Sequence, residues 1–256
     1  MATVRPIPES YYYSGQGRLG IGTRNATTGA LYDLIFVGNV TSLAIDIGVT
    51  KFEHKESMSG QRAIDRTVIQ EKNVTFKFTA ESLTLALLAD GLYGSKANVA
   101  LGTVAAESHI ANPGKAIPLA HPNVSAVVIT GLVEGTDYTV DEGFGTVYIS
   151  PTTVAVTVDE VISIAYSYGT YDKLEAFTQA TPPERFLRFE GLNTLNGDLR
   201  LIDVPRAGFD PLTGLEFINE EFGQGEFAGN ILPDLTITTT GLSQYFRERR
   251  VIAPVV

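Results

Sequence analysis

Two runs of strict alternation bracket a charged segment near the start of the chain, and any fold has to accommodate both. Leu43, Ile45, Ile47 and Val49 alternate with Ser42, Ala44, Asp46 and Gly48, while Val74, Phe76 and Phe78 alternate with Asn73, Thr75, Lys77 and Thr79. A period of two sends successive side chains to opposite faces, so each run predicts a strand with one apolar face and one small or polar face. Between them lies KFEHKESMSGQRAIDRT, residues 51–67, with charges of both signs and a single Gly. A tight hairpin needs only a few residues there. A loop this long costs entropy if it dangles, so the segment is predicted to project and to dock on something outside its own domain. That pattern points to assembly rather than to a catalytic pocket.

Composition narrows the classes further. With 256 residues and 44% hydrophobic content the chain can bury a sizeable core. Asp and Glu outnumber Lys and Arg by 29 to 19, which does not suit a nucleic-acid binder, since affinity for phosphate comes from basic side chains. Cysteine is absent, so disulfides, thiolate metal sites and cysteine nucleophiles are excluded. Tryptophan is absent as well, which weakens a carbohydrate reading built on aromatic platforms. MATVRPIPESYYYSG has no apolar core behind a basic start, and no apolar run reaches the length of a membrane span. A protein made and assembled in a cytoplasm, with no membrane partner, is expected.

Along the chain, residues 1–33 are rich in Gly, Pro, Thr and Asn and read as an arm with one or two short strands, with Tyr11, Tyr12 and Tyr13 as its apolar cluster and a neighbouring subunit as its anchor. Leu83, Leu87 and Leu88 recur at helical spacing within residues 81–94, predicting the main helix, started by Glu81 and Ser82 and stopped by Gly91 and Gly94. Residues 95–118 read as loop. Short β patterns follow at 126–130, 137–140, 146–149, 154–158 and 161–168, with Gly and Pro between them. Further strands are predicted at 184–191, 199–204 and 235–239, and residues 244–256 read as a tail. The expectation is one mainly β domain over 34–256 with one principal helix, a second short one being left open, in which 120–170 forms a β-rich section that is either an inserted subdomain or the second half of one sandwich.

Strand, long charged loop, strand, helix, β insert and the closing segment RFEGLNTLNG…VPRAGFDPLTGLEFINEEFGQGEFAGNILPD together resemble the major tail tube proteins of long-tailed bacteriophages. The matching parts are HKESMSGQRAIDRTV with the strand after it, FEGLNTLNG at 189–197, the Asp210–Pro211 step and ILPD at 231–234; the likeness spans residues 37–234. What the resemblance implies is a β-sandwich or barrel-like domain with a flanking helix and a projecting hairpin loop. Its copies would form hexameric rings around an inner β-barrel, and rings would stack into a tube that conducts DNA, with no catalysis and no cofactor. Partners would be the protein itself, tape measure, tail tip or baseplate, and connector or terminator proteins, with DNA passing without specific binding. The location would be a virion tail assembled in a bacterial cytoplasm.

On that resemblance the inter-ring loop would act through Lys51, Glu53, His54, Lys55, Glu56, Gln61, Arg62, Asp65 and Arg66. Lumen-facing candidates are Ser42, Ala44, Asp46, Asn73, Thr75, Lys77, Ser163 and Ser167, small or polar positions opposite apolar ones. Six copies at net −10 carry about −60, and carboxylates turned inward would repel phosphate over about a nanometre. Joining strands around a ring would also remove exposed sheet edges.

Other signals are weaker. Gly15, Gly17 and Gly20 spell G-x-G-x-x-G but lack a strand before and a helix after, so a flexible turn is expected. His54, His109 and His121 show no metal-ligand spacing. The pairs Asp141–Glu142, Asp159–Glu160 and Glu220–Glu221 are adjacent, which on a strand sends them to opposite faces and argues against a glycosidase acid pair. Arg247, Arg249 and Arg250 form the basic cluster, read as a solvated face or an intersubunit ion pair. The alternatives kept open are a terminator, distal tail or decoration protein and, from another class, an extracellular β-sandwich that binds glycans.

Overall fold

The computed structural model describes residues 12–220 and 222–251. The chain is mainly β with one α-helix among the described residues, and it divides into two compact units, 1–95 with 175–256, and 96–174.

The first unit opens with β1 (Gly15–Thr23), β2 (Ile35–Phe36), β3 (Val40–Lys55), β4 (Ile64–Ala80) and α1 (Leu85–Gly91). Of the stretch 1–33, expected to hold one or two short strands, Gly15–Thr23 forms β1, with Leu19 in the core and the strand registered against a later one from Gly15↔Asn193 to Thr23↔Arg185. Its glycines are not a flexible turn: a Cβ on Gly17 would stand 2.4 Å from the Glu190 carbonyl oxygen, so close strand packing explains the spelling. The helix is shorter than expected. Thr84 caps it by accepting from the Leu87 amide, and Leu87 is buried in the core.

The second unit contains β5 (Ser95–Val99), β6 (Gly102–Ala111), β7 (Ala116–Pro118), β8 (Val124–Ile129), β9 (Tyr138–Asp141), β10 (Thr146–Ile149), β11 (Glu160–Tyr168) and β12 (Tyr171–Glu175). It is wider than the β-rich section read over 120–170. Residues 95–118, read as loop, supply β5, β6 and β7, because their Ala, Ser, Thr and Glu side chains pair along the ladder without an apolar signature. Residues 154–158, read as a strand, form none, although Val156 is buried. Two small sheets, β6–β11–β8 and β7–β10–β9, close over Val127, Ile129, Val147, Ile149, Ile162 and Ile164. The Glu107 carboxylate accepts from the Tyr166 hydroxyl and the Ala120 amide (3.1 Å) and meets His109 Nε2 at 2.7 Å. The chain enters and leaves this unit through the paired strands β5 and β12.

Returning to the first unit, β13 (Glu184–Asn193), β14 (Leu199–Phe209), β15 (Gly225–Ile231) and β16 (Arg247–Val251) complete an eight-stranded sheet in the order β2–β1–β13–β14–β15–β4–β3, with β16 beside β14. The strand expected at 235–239 is absent, and the expected tail instead supplies β16. Four phenylalanines anchor the core: Phe78 stacks on Phe227 and Phe76 meets Phe209 edge-on, each at 5.1 Å. Arg185 clamps α1 to β13 through both oxygens of buried Asp90, at 2.6 and 3.0 Å. Among the described residues no sheet closes into a barrel.

Candidate assembly surface

Strands β3 and β4 leave the sheet together. β15 accompanies β4 only from Ala80 to Thr75, whereas β3 and β4 stay paired as far as Lys55↔Ile64. The nine pairs beyond Asp46↔Thr75 make a ribbon with no third strand among the described residues, roughly 30 Å long at about 3.3 Å per residue. The loop expected over 51–67 is thus mostly strand. Phe52, Ile64, Val68 and Ile69 interleave with the charges and favour a pleated chain, leaving only 56–63 irregular. Glu56 closes the tip: its amide donates to the Ala63 carbonyl (2.9 Å), and its carboxylate accepts from the Ser59 hydroxyl and from the Met58 and Ser59 amides at 2.7 and 2.9 Å. The Ser59 hydroxyl, then these amides, hold the Glu56 carboxyl below its ordinary value.

A bulge decides what the ribbon presents. Thr50 pairs with Glu71 and Lys51 with Ile69, so Gln70 is an extra residue on β4. It shifts the side-chain phase by one, placing Ile69 on the face of Ile47 and Val49 and setting Val68 beside Phe52 on the opposite face. All five side chains are exposed, Ile47 at 63% and Val68 at 56%. Burying one such side chain fully is worth about 1.5–3 kcal/mol, whereas an exposed ion pair gives about 0–1 kcal/mol. The apolar pairs, not the charges, therefore dominate what a partner would gain, and the sequence reading missed them because it followed the charges.

The charged candidates occupy the same ribbon. His54 Nδ1 lies 2.6 Å from Asp65 Oδ1, with Arg66 opposite His54 in the ladder. Lys51, Glu53 and Lys55 face Ile69, Thr67 and Ile64. Gln61 and Arg62 sit at the tip, where the Gln61 amide donates to Ser59 Oγ and Arg62 takes a φ of 51°. All are exposed except Glu56, which is half-buried.

Of the lumen candidates, Ser42, Ala44, Asp46, Asn73, Thr75 and Lys77 share the face of β3 and β4 turned away from the core. Ser42 Oγ donates to Thr79 Oγ1 and Lys77 pairs with Asp46, both at 3.0 Å. The pairing of β15 adds Glu226, Ala228 and Asn230, all exposed, to that face. Their alternation in GEFAGNI was legible but was not read. Ser163 and Ser167 belong to β11 in the other unit. Tyr11 lies outside the described residues. The Tyr12 carbonyl accepts from Asn193 (3.0 Å), and the Tyr13 ring lies 3.7 Å from the Arg200 guanidinium of its own chain. The outer edge of β3, sixteen residues long, pairs with no strand among the described residues, a condition that invites pairing with another chain.

No helix of the described residues is long and apolar enough to cross a membrane, and no group of three His, Asp or Glu among them could hold a metal ion. A family model described as "Protein of unknown function UCP028589" matches residues 12–249. No curated protein matches the chain.

Proposed function

The chain belongs to that family, and from the surface it carries we propose that it is a structural, non-enzymatic subunit of a bacteriophage tail tube. Copies assemble into hexameric rings, rings stack, and the resulting channel conducts DNA in the virion tail after assembly in a bacterial cytoplasm. Tape measure, tail tip and terminator proteins bound the tube. The observation that carries this reading is the free β3–β4 ribbon with exposed apolar pairs on both faces. An isolated two-stranded hairpin is marginal in water, so a ribbon of this length gains most by lying against another copy. The unpaired β3 edge supports lateral joining of sheets into a closed inner barrel. The polar face of β3, β4 and β15 supports a wetted wall, since Ser, Ala, Thr and Asn offer no sticky surface to a passing polyanion.

The test is negative-stain microscopy of the purified protein with and without residues 51–67. Full-length protein is expected to form rings and tubes, and the deletion to form rings that do not stack. A full-length protein that stays monomeric at every concentration and salt overturns the reading.

A further inference from the structure

Two apolar clusters of the first unit face solvent at opposite ends of one strand. Toward the Ile64 end of β4 lies the ribbon, with Phe52 and Val68 side by side and exposed. At the Ala80 end lies the connection between β14 and β15, because Ala80 pairs with Gly225, where β15 begins. The root of this connection is fixed: the Asp210 amide donates to the Ala228 carbonyl (2.9 Å) and the Leu212 amide to the Gly91 carbonyl (2.7 Å) at the end of α1. Past Leu212 the chain carries Phe217 (86%), Ile218 (97%) and Phe222 (83%) into solvent beside exposed Glu216 and Glu220. A surface rarely carries three such side chains together without a use. With 17 residues in β4, the two ends stand roughly 50 Å apart at about 3.3 Å per residue. One copy therefore cannot cover its own clusters with each other.

We infer that segment 213–224 of one copy is the seat of the β3–β4 ribbon of the next, with Phe217, Ile218 and Phe222 packed on the Phe52–Val68 face. Placement and charge agree. Opposite ends of one strand come together when copies repeat head to tail along it, and such a heterologous contact propagates from copy to copy. On the ribbon, Lys51, Lys55, Arg62 and Arg66 have no ion-pair partner among the described residues, whereas Asp65 is engaged by His54 and the Glu56 carboxylate by the amides of the tip. Arg66 shares the face of Phe52 and Val68, two positions along the ladder. On the segment, Glu216 and Glu220 have no cation partner among the described residues. Spare cations around one apolar cluster thus meet spare anions around the other, which steers the approach and fixes its orientation. Stacked rings make many such contacts at once, so none has to be large. This inference rests on the tube reading and names the surface that receives the ribbon.

The test uses the full-length chain, which has no cysteine, so an introduced thiol reports one position. Val68→Cys and Asn219→Cys, mixed and mildly oxidised, are expected to give a two-chain product on non-reducing gels. Its yield should exceed roughly tenfold that of either variant alone, or of Val68→Cys mixed with Leu235→Cys at an exposed control position. In a second arm, Arg66→Glu and Glu220→Arg are each expected to weaken stacking roughly tenfold, and the two in one chain to restore it. All these positions are exposed, so circular dichroism and melting temperature should stay at wild-type values. Tubes that form without the mixed product, or a double charge variant that stacks no better than the single ones, overturn the inference and leave the tube reading intact. The mixed product in protein that forms chains but never rings keeps the contact and overturns the tube reading. Protein that stays monomeric and gives no product overturns both.

Discussion

Arg24 is the most consequential single residue of the first unit. Its side chain and that of Asp234 are each 4% exposed and pair at 2.9 Å, while Glu184 receives Arg24 at 3.3 Å and Arg206 at 2.6 Å. Removing one partner strands a buried charge, so Arg24→Ala is expected to cost about 3–5 kcal/mol in urea unfolding. Burial pushes the Asp234 carboxyl up, but the Thr236 hydroxyl and amide, with Arg24, more than offset it and leave it below the ordinary 3.8. For Glu184 the Arg206 hydrogen bond leads, against burial, and again the carboxyl sits below its ordinary 4.5. Both groups are depressed in the folded state, so their contribution is complete above about pH 5 and is lost as pH falls through the folded values. The urea midpoint should drop between pH 6 and pH 3, and by less in Arg24→Ala, which has already lost part of the network. None of this was legible beforehand, because Arg24 and Asp234 are 210 residues apart and neither belongs to an alternating run.

The ribbon separates stability from assembly. Phe52→Ser with Val68→Ser touches only exposed positions and is expected to change unfolding free energy by no more than about 0.5 kcal/mol, yet to reduce stacking of rings as counted by microscopy. Thr84→Ala, by contrast, removes the cap of α1 and should cost about 1 kcal/mol in stability. The strands flanking the ribbon were legible because Leu43, Ile45, Phe76 and Phe78 face one core with period two. The ribbon itself was misread as loop, since Glu53, Lys55, Asp65 and Arg66 break the apolar pattern without breaking the ladder. The bulge at Gln70 hides the rest: no local residue choice marks a one-residue phase shift that only the partner strand defines. β6 was lost for another reason, being built from Ala, Ser, Thr and Glu whose pairing depends on β11.

At the scale of the molecule, residues 96–174 have a separate core and a pair of adjoining ends, with Asn98 bonded to Asp172 at 2.8 Å across the two strands. Expressed alone, this segment is expected to fold cooperatively, with dispersed amide resonances. A chain in which a short Gly-Ser link replaces it should retain the first unit's unfolding transition; collapse of that transition would show that the two fold only together. The number of compact units is only half legible: the short β patterns mark a section open to being an inserted subdomain, but its start at β5 lies in a small, polar stretch that reads as loop. The neighbouring entry and exit strands have an evolutionary corollary. A module attached through one doorway can be exchanged, enlarged or dropped without rerouting the rest of the backbone, so this segment is where kindred chains can vary most in length and where a foreign domain could be grafted for display.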